Sequence, residues 1–137
     1  MLVRLRINET PREYSLAGIN LGGARTTILA RHVAYNETLT TLHLVRRGIQ
    51  DSEGCDLAKM LLTNKTLRKL ELEGNCLGSK TAKELGFALM HNTTLKFLDL
   101  ESNQLGPQDS PDSSGIMKFI EGVRYNTSLL VLNVANN

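Results

Sequence analysis

Four stretches of the chain, NETL at 36–39, NKTL at 64–67, NTTL at 92–95 and NTSL at 126–129, place Asn two residues before Thr or Ser, and NETP at 8–11 offers a fifth copy. Each is an acceptor for an N-linked glycan, a modification of secreted chains. His43, Glu71 and Asp99 recur at a related spacing of 28 residues. Together they have the donor types of a divalent-ion site, but no second shell to orient them is visible, and no metal is assigned. His32 and His91 fall near expected helix ends, where attraction to the carbonyl end is the ordinary explanation. Cys55 and Cys76 are too few for a disulfide framework or a metal knuckle, and read as reduced thiols of a cytoplasmic protein. The sequence has no G-x-S-x-G, no phosphate loop and no Cys set at a suggestive distance from His. The expectation is a protein that is not an enzyme and takes no cofactor.

The spacing itself has a second explanation. Asn8, Asn36, Asn64 and Asn92 are each 28 residues apart, and the step to Asn126 is 34. Behind each Asn the apolar residues fall into register: Leu39, Leu42, Leu44 and Ile49; Leu67, Leu70, Leu72 and Leu77; Leu95, Leu98, Leu100 and Leu105; then Leu129, Leu132 and Val134. Tyr14, Leu16, Ile19 and Leu21 fit upstream, with Pro11 in the first Leu position. This is L-x-x-L-x-L-x-x-N-x-L, the leucine-rich-repeat pattern. Within it, L-x-L alternation marks a short strand with one buried face. Asn75 and Asn103 follow their strands and are expected to form a ladder of amides bonded to backbone, broken at Arg47 and Ile19, and Asn137 stands in the same repeat position.

The second half of each unit changes to helical spacing. Ile28, Leu29 and Val33, then Leu57, Ala58, Met60 and Leu61, then Ala82, Leu85, Ala88 and Leu89 are expected on buried helix faces. Ser52 and Ser79 are candidate N-caps, with Lys59, Lys80 and Lys83 on solvated faces. Asn36, Asn64, Asn92 and Asn126 then read as left-handed C′ residues closing the helices, and this reading is preferred to the glycan one. The units run 11–38, 39–66, 67–94 and 95–128, with partial ones at 1–10 and 129–137, in one domain expected to be a fragment of a longer protein. Val3, Leu5 and Ile7 alternate as a strand would, although Leu5 also suits a helix register.

Strand and full helix in 28 residues resemble the ribonuclease-inhibitor class of leucine-rich repeats over residues 11–137. LKFLDLESNQLG followed by GIMKFIEGVRYNTSL is similar to the last repeats of tropomodulin and leiomodin, and to repeats of the nucleotide-oligomerisation-domain immune sensors. The resemblance implies an α/β solenoid: a right-handed βα horseshoe with a parallel sheet on the concave face and helices on the convex face. It also implies a protein-interaction module, or alternatively tropomodulin-like binding to actin filament pointed ends, although the actin-binding helices that precede the tropomodulin repeats have no counterpart here.

Residues between the buried leucines face the concave side, and stacking sets them in columns about 4.8 Å apart. One column reads Ser15, His43, Glu71, Asp99 and Asn133; the next reads Ala17, Val45, Glu73, Glu101 and Ala135. Glu71, Glu73, Asp99 and Glu101 gather as like charges, an unfavourable arrangement that suggests a patch for a basic partner segment, with Arg46 and Lys69 at its rim. The alternative is a solvated ladder of charges. A second candidate contact is the insertion LGPQDSPDSSG at 105–115, with Pro107, Asp109 and Asp112. The other partner classes are expected to be absent. No apolar run approaches the ~18 residues of a membrane span. A net charge of +2, no Trp, three Tyr and three Phe leave few platforms for stacking bases.

Overall fold

The computed structural model describes residues 4, 8–16, 19, 21–106 and 113–137. Strands and helices alternate along it: β1 (Glu13–Ser15), α1 (Gly22–Ala34), β2 (Thr41–His43), α2 (Asp51–Thr63), β3 (Lys69–Glu71), α3 (Ser79–His91), β4 (Phe97–Asp99), α4 (Ser114–Tyr125) and β5 (Val131–Asn133). The strands form one sheet in chain order, each parallel to its neighbour. Tyr14, Leu42, Leu70, Leu98 and Leu132 line up across it. The wider spacing between β4 and β5 therefore leaves the register intact. Leu42, Leu70 and Leu98 are fully buried and share one core with Leu57, Leu61, Leu85 and Leu89 of the helices. The architecture is the α/β leucine-rich-repeat solenoid.

Strands of three residues pair too few backbone groups to hold themselves, and side-chain amides complete the work at both ends. After the strands, Asn75 donates to the carbonyls of Leu44 (2.9 Å) and Leu72 (2.8 Å) and accepts from the N–H groups of Arg47 and Ile49. Asn103 repeats this with Leu72, Leu100 and Leu77, and Asn137 with Leu100, Val134 and Leu105. The ladder stops at Arg47, whose Nε is buried and has no hydrogen-bond partner among the described residues.

The asparagines before the strands work differently from the expected left-handed caps. Asn64, Asn92 and Asn126 are extended, with φ −68°, −81° and −70°; of the five, only Asn8 has a left-handed φ, 58°. An extended backbone lets each side chain fold back over its own turn. Asn64 Oδ1 accepts from Thr66 N (2.9 Å) and Leu67 N (2.7 Å), while its Nδ2 donates to Val33 O (2.6 Å) in the last turn of α1. Asn92 reaches Leu61 O and Asn126 reaches Leu89 O in the same way. Each Asn closes the helix of the preceding unit. The Thr or Ser two residues on has its own use: Thr66 Oγ1 donates to Asn36 O and Ser128 Oγ to Asn92 O. Asn36, Asn64 and Asn92 are buried, so the folded chain has no room for glycans on them.

Three local expectations are corrected. Ser52 and Ser79 lie inside their helices, and the N-caps are Gln50 and Gly78. The start of α3 is capped from the preceding unit instead, by Asp51 Oδ1 accepting from Gly78 N and Thr81 N, both at 2.8 Å. Burial works against the charge of Asp51, yet these N–H groups hold its carboxyl below the usual carboxylate range. Ile28 is 40% exposed, because the buried stripe of α1 is Thr26, Leu29, Ala30 and Val33, at spacings of three and four. The alternation of Val3, Leu5 and Ile7 lies outside the described residues, as does Ala17.

Helix α4 is held by close approach to α3. A methyl group added at Gly122 would sit 2.1 Å from the carbonyl oxygen of Gly86, and one at Gly86 would sit 2.2 Å from that of Lys118. No side chain larger than hydrogen fits at either place.

The ladder predicts the effect of two substitutions. Asn75→Ala removes the amide partner of the Leu44 carbonyl and of the Arg47 and Ile49 N–H groups, while Leu72 O keeps Asn103, and should lower unfolding free energy by about 2–4 kcal/mol in urea titration. Arg47→Asn should raise it by about 1 kcal/mol, since an amide there extends the ladder to the Leu16 and Leu44 carbonyls. A loss of stability at Arg47→Asn would contradict the ladder's role.

Candidate functional site

Because each central leucine of a strand is buried against the helices, the residues on either side of it turn to the opposite face of the sheet. The parallel register puts Glu13, Thr41, Lys69, Phe97 and Val131 in one column and Ser15, His43, Glu71, Asp99 and Asn133 in the next. Just past the strands, Arg46 N donates to Glu73 O and Gly74 N to Glu101 O, which carries the alignment on to the column of Val45, Glu73, Glu101 and Ala135.

Side chains connect across the columns. His43 Nε2 lies 2.7 Å from Glu13 Oε1, and its Nδ1 bonds Glu71 Oε2. Lys69 Nζ meets Glu71 Oε1 at 2.7 Å and lies 4.7 Å from the centre of the Phe97 ring. One chain of contacts, Glu13 to His43 to Glu71 to Lys69 to Phe97, thus spans β1 to β4. Beside it Arg46 Nη2 reaches Glu73 Oε1 at 3.0 Å. Glu101 accepts from the amides of Asn133 (2.8 Å) and Asn136 (3.4 Å), and Asp99 Oδ1 accepts from Glu101 N.

These pairings change the expectation of four opposed like charges. Glu71 is neutralised by His43 and Lys69, and Glu73 by Arg46. Asp99 and Glu101 are held by N–H donors and have no cationic partner among the described residues. The structure brings His43, Arg46, Lys69, Glu71, Glu73, Asp99 and Glu101 to one face. Pro107, Asp109 and Asp112 lie outside the described residues. Glu13, Phe97 and Asn133 also belong to this face, and their signal was the repeat itself: 13, 41, 69 and 97 are spaced as the leucines are.

Arg46 has φ 53° and Ser102 φ 54°, in the same repeat position as Gly74 and Asn136. The left-handed region costs a residue with a Cβ about 1–2 kcal/mol, so holding an arginine there is a strained choice. A methyl at Gly74 would meet Arg46 Cγ at 2.6 Å. The glycine leaves room for the arginine stem on its way to Glu73.

The site offers little chemistry beyond contact. Both ring nitrogens of His43 are engaged by carboxylates, and among the described residues no three His, Cys, Asp or Glu side chains come together as metal ligands would. Cys55 and Cys76 are unpaired. Burial, reinforced by the nearby charges of Asp51 and Glu84, pushes the Cys55 thiol up.

Comparison with known proteins agrees with this geometry. Residues 63–86 and 91–109 match a family model described as leucine rich repeat. The chain superposes on leiomodin-1 actin-binding site 2 with a TM-score of 0.83 at 22% identity, covering 97% of this chain and 76% of that one. It superposes on the tropomodulin C-terminal domain of Caenorhabditis elegans with a TM-score of 0.80 at 22% identity, covering 98% of this chain and 80% of that one. No curated protein sequence matches. At this identity the likeness establishes the fold.

The His43 contacts make stability depend on pH. Burial disfavours the charged ring, but hydrogen bonds to Glu71 and Glu13 and their negative charge outweigh it, so His43 titrates above its ordinary 6.5. Burial likewise opposes charge on Glu71, and Lys69 and His43 overcome it, placing Glu71 below its ordinary 4.5. A raised histidine stabilises fully below its unfolded pKa and loses that contribution as pH rises through the folded value; a lowered carboxylate does so above its unfolded pKa and loses it as pH falls through the folded value. Wild-type unfolding free energy should therefore fall more than that of His43→Gln between about pH 6 and about pH 9. Parallel curves for the two proteins would show that the ring is not held by its carboxylates.

Proposed function

We propose that the chain is a protein-interaction module that holds its partner against the concave strand face without catalysing a reaction. Glu71, Glu73, Asp99 and Glu101 receive a basic segment of the partner, and His43, Arg46 and Lys69 set its register by repelling a misplaced cation. The observation that carries this reading is the pair Asp99 and Glu101, which stand on the concave side with N–H donors but no cationic partner among the described residues. Rigid strands pinned at both ends present these side chains at fixed spacing, so little ordering entropy is lost on binding. If Pro107, Asp109 and Asp112 take part, they add contacts beyond the end of β4. A cytoplasmic setting fits the unpaired thiols and the buried asparagine amides. No helix among the described residues is long and apolar enough to cross a membrane.

A second reading is association with actin filaments at their pointed ends, as the resemblance to tropomodulin implies. The superposition on a domain named as an actin-binding site of leiomodin-1 favours it. Co-sedimentation with actin filaments, together with pointed-end elongation rates, decides it. Retention of the chain in the pellet and slower elongation support the actin reading; a chain left in the supernatant removes it.

For the acidic face, binding to a lysine-rich peptide is followed by fluorescence anisotropy. The double substitution Glu73→Lys and Glu101→Lys should weaken binding by about tenfold or more, ~1.4 kcal/mol, with an unchanged far-ultraviolet circular dichroism spectrum. Unaltered affinity rejects the patch.

A further inference from the structure

The border of the sheet where the chain runs into each strand carries a row of charge that the concave face does not use. Residues 12, 40, 68 and 96 occupy one repeat position, Arg, Thr, Arg and Lys. Their backbones are tied in sequence: Thr40 N donates to Arg12 O (2.7 Å), Arg68 N to Thr40 O (2.8 Å) and Lys96 N to Arg68 O (2.8 Å). The alignment is therefore fixed by the sheet, at one strand spacing of about 4.8 Å per position.

The concave carboxylates have internal partners, whereas these cations have none. The side chains of Arg12, Arg68 and Lys96 form no hydrogen bond or ion pair among the described residues. Lys65 stands beside them, exposed, with its ammonium donating to Leu62 O at 3.3 Å. A shallow groove runs along the row between Arg12, Thr40, Lys65 and Arg68, with Glu37 at its side. Three unpaired cations in line, with Lys65 beside them and one carboxylate, Glu37, along the groove, leave a net positive strip.

We propose that this strip is a second interaction surface, and that it docks an acidic helix of a protein partner laid across the strand starts. The spacing selects the helix. Carboxylates one turn apart on a helix repeat about every 5.4 Å, near the strand spacing, and the long Arg and Lys stems absorb the difference. On an extended peptide the same-face repeat is about 6.8 Å and drifts out of step within three positions. A nucleic-acid strand fits poorly, because no aromatic ring stands in the row to stack a base and the Glu37 carboxylate faces a phosphate backbone. This inference is independent of the concave-face reading, since none of its residues is shared.

The test uses the full chain and a synthetic helical peptide carrying Glu along one face at alternating spacings of four and three residues, with binding read by fluorescence anisotropy. Two further ligands are a peptide of the same composition broken by a central proline and a single-stranded oligonucleotide of equal charge. Arg68→Glu should lower affinity for the helical peptide at least about tenfold, and Arg12→Glu or Lys96→Glu several-fold, while Lys83→Glu on the exposed face of α3 leaves it unchanged. Arg68→Gln gives the milder loss if reversal perturbs folding, which circular dichroism reports. An equal loss at Lys83, equal binding of the broken peptide, or tighter binding of the oligonucleotide would overturn the proposal.

Discussion

The amide side chain of asparagine holds this molecule together as a stack. A strand of three residues forms too few backbone bonds to stay paired, and the turns on either side leave further donors and acceptors facing the interior. One carboxamide has two donors and a carbonyl, which suits a place where two carbonyls and one or two N–H groups of adjacent units converge. Asn75 and Asn103 supply it after the strands, and Asn64, Asn92 and Asn126 before them. The apolar core drives collapse without fixing direction. The amides make adjacent units register residue by residue.

From that register the functional surfaces follow. Once Leu42, Leu70 and Leu98 are aligned, His43 must stand beside Glu71 and Glu71 beside Asp99, and no loop movement separates them. The same alignment makes a row of Arg12, Arg68 and Lys96. One border of the sheet is basic and unpaired, while the concave face is acidic with most of its charge internally balanced. With a net charge of only +2, the charge of the molecule is ordered across its surface more than it is accumulated.

Much of this was legible in the sequence because the period multiplies weak local signals. The leucine positions, the parallel sheet, the ladder at Asn75 and Asn103 and the break at Arg47 all follow from alignment of the repeats, and the structure adds Asn137 as a further rung. What escaped lies between units. That Asp51 caps α3, some 27 residues on, is invisible to any local capping rule, and so Ser79 was the expected cap. Asn64 reads as a left-handed closer because sequence gives the amide but not its φ, and both conformations place that amide at a helix end. Opposed carboxylates were foreseen at 71, 73, 99 and 101. Their neutralisation depends on side-chain reach from Arg46 and Lys69, which spacing alone does not give.

The most direct test of the account is hydrogen exchange of the side-chain amides, followed by nuclear magnetic resonance. The Nδ2 protons of Asn75 and Asn103 should exchange only with global unfolding, as slowly as the backbone N–H groups of Leu72 and Leu100. If those amides exchange at the rate of a free asparagine while the strands stay protected, they do not bind the units together, and another interaction sets the register.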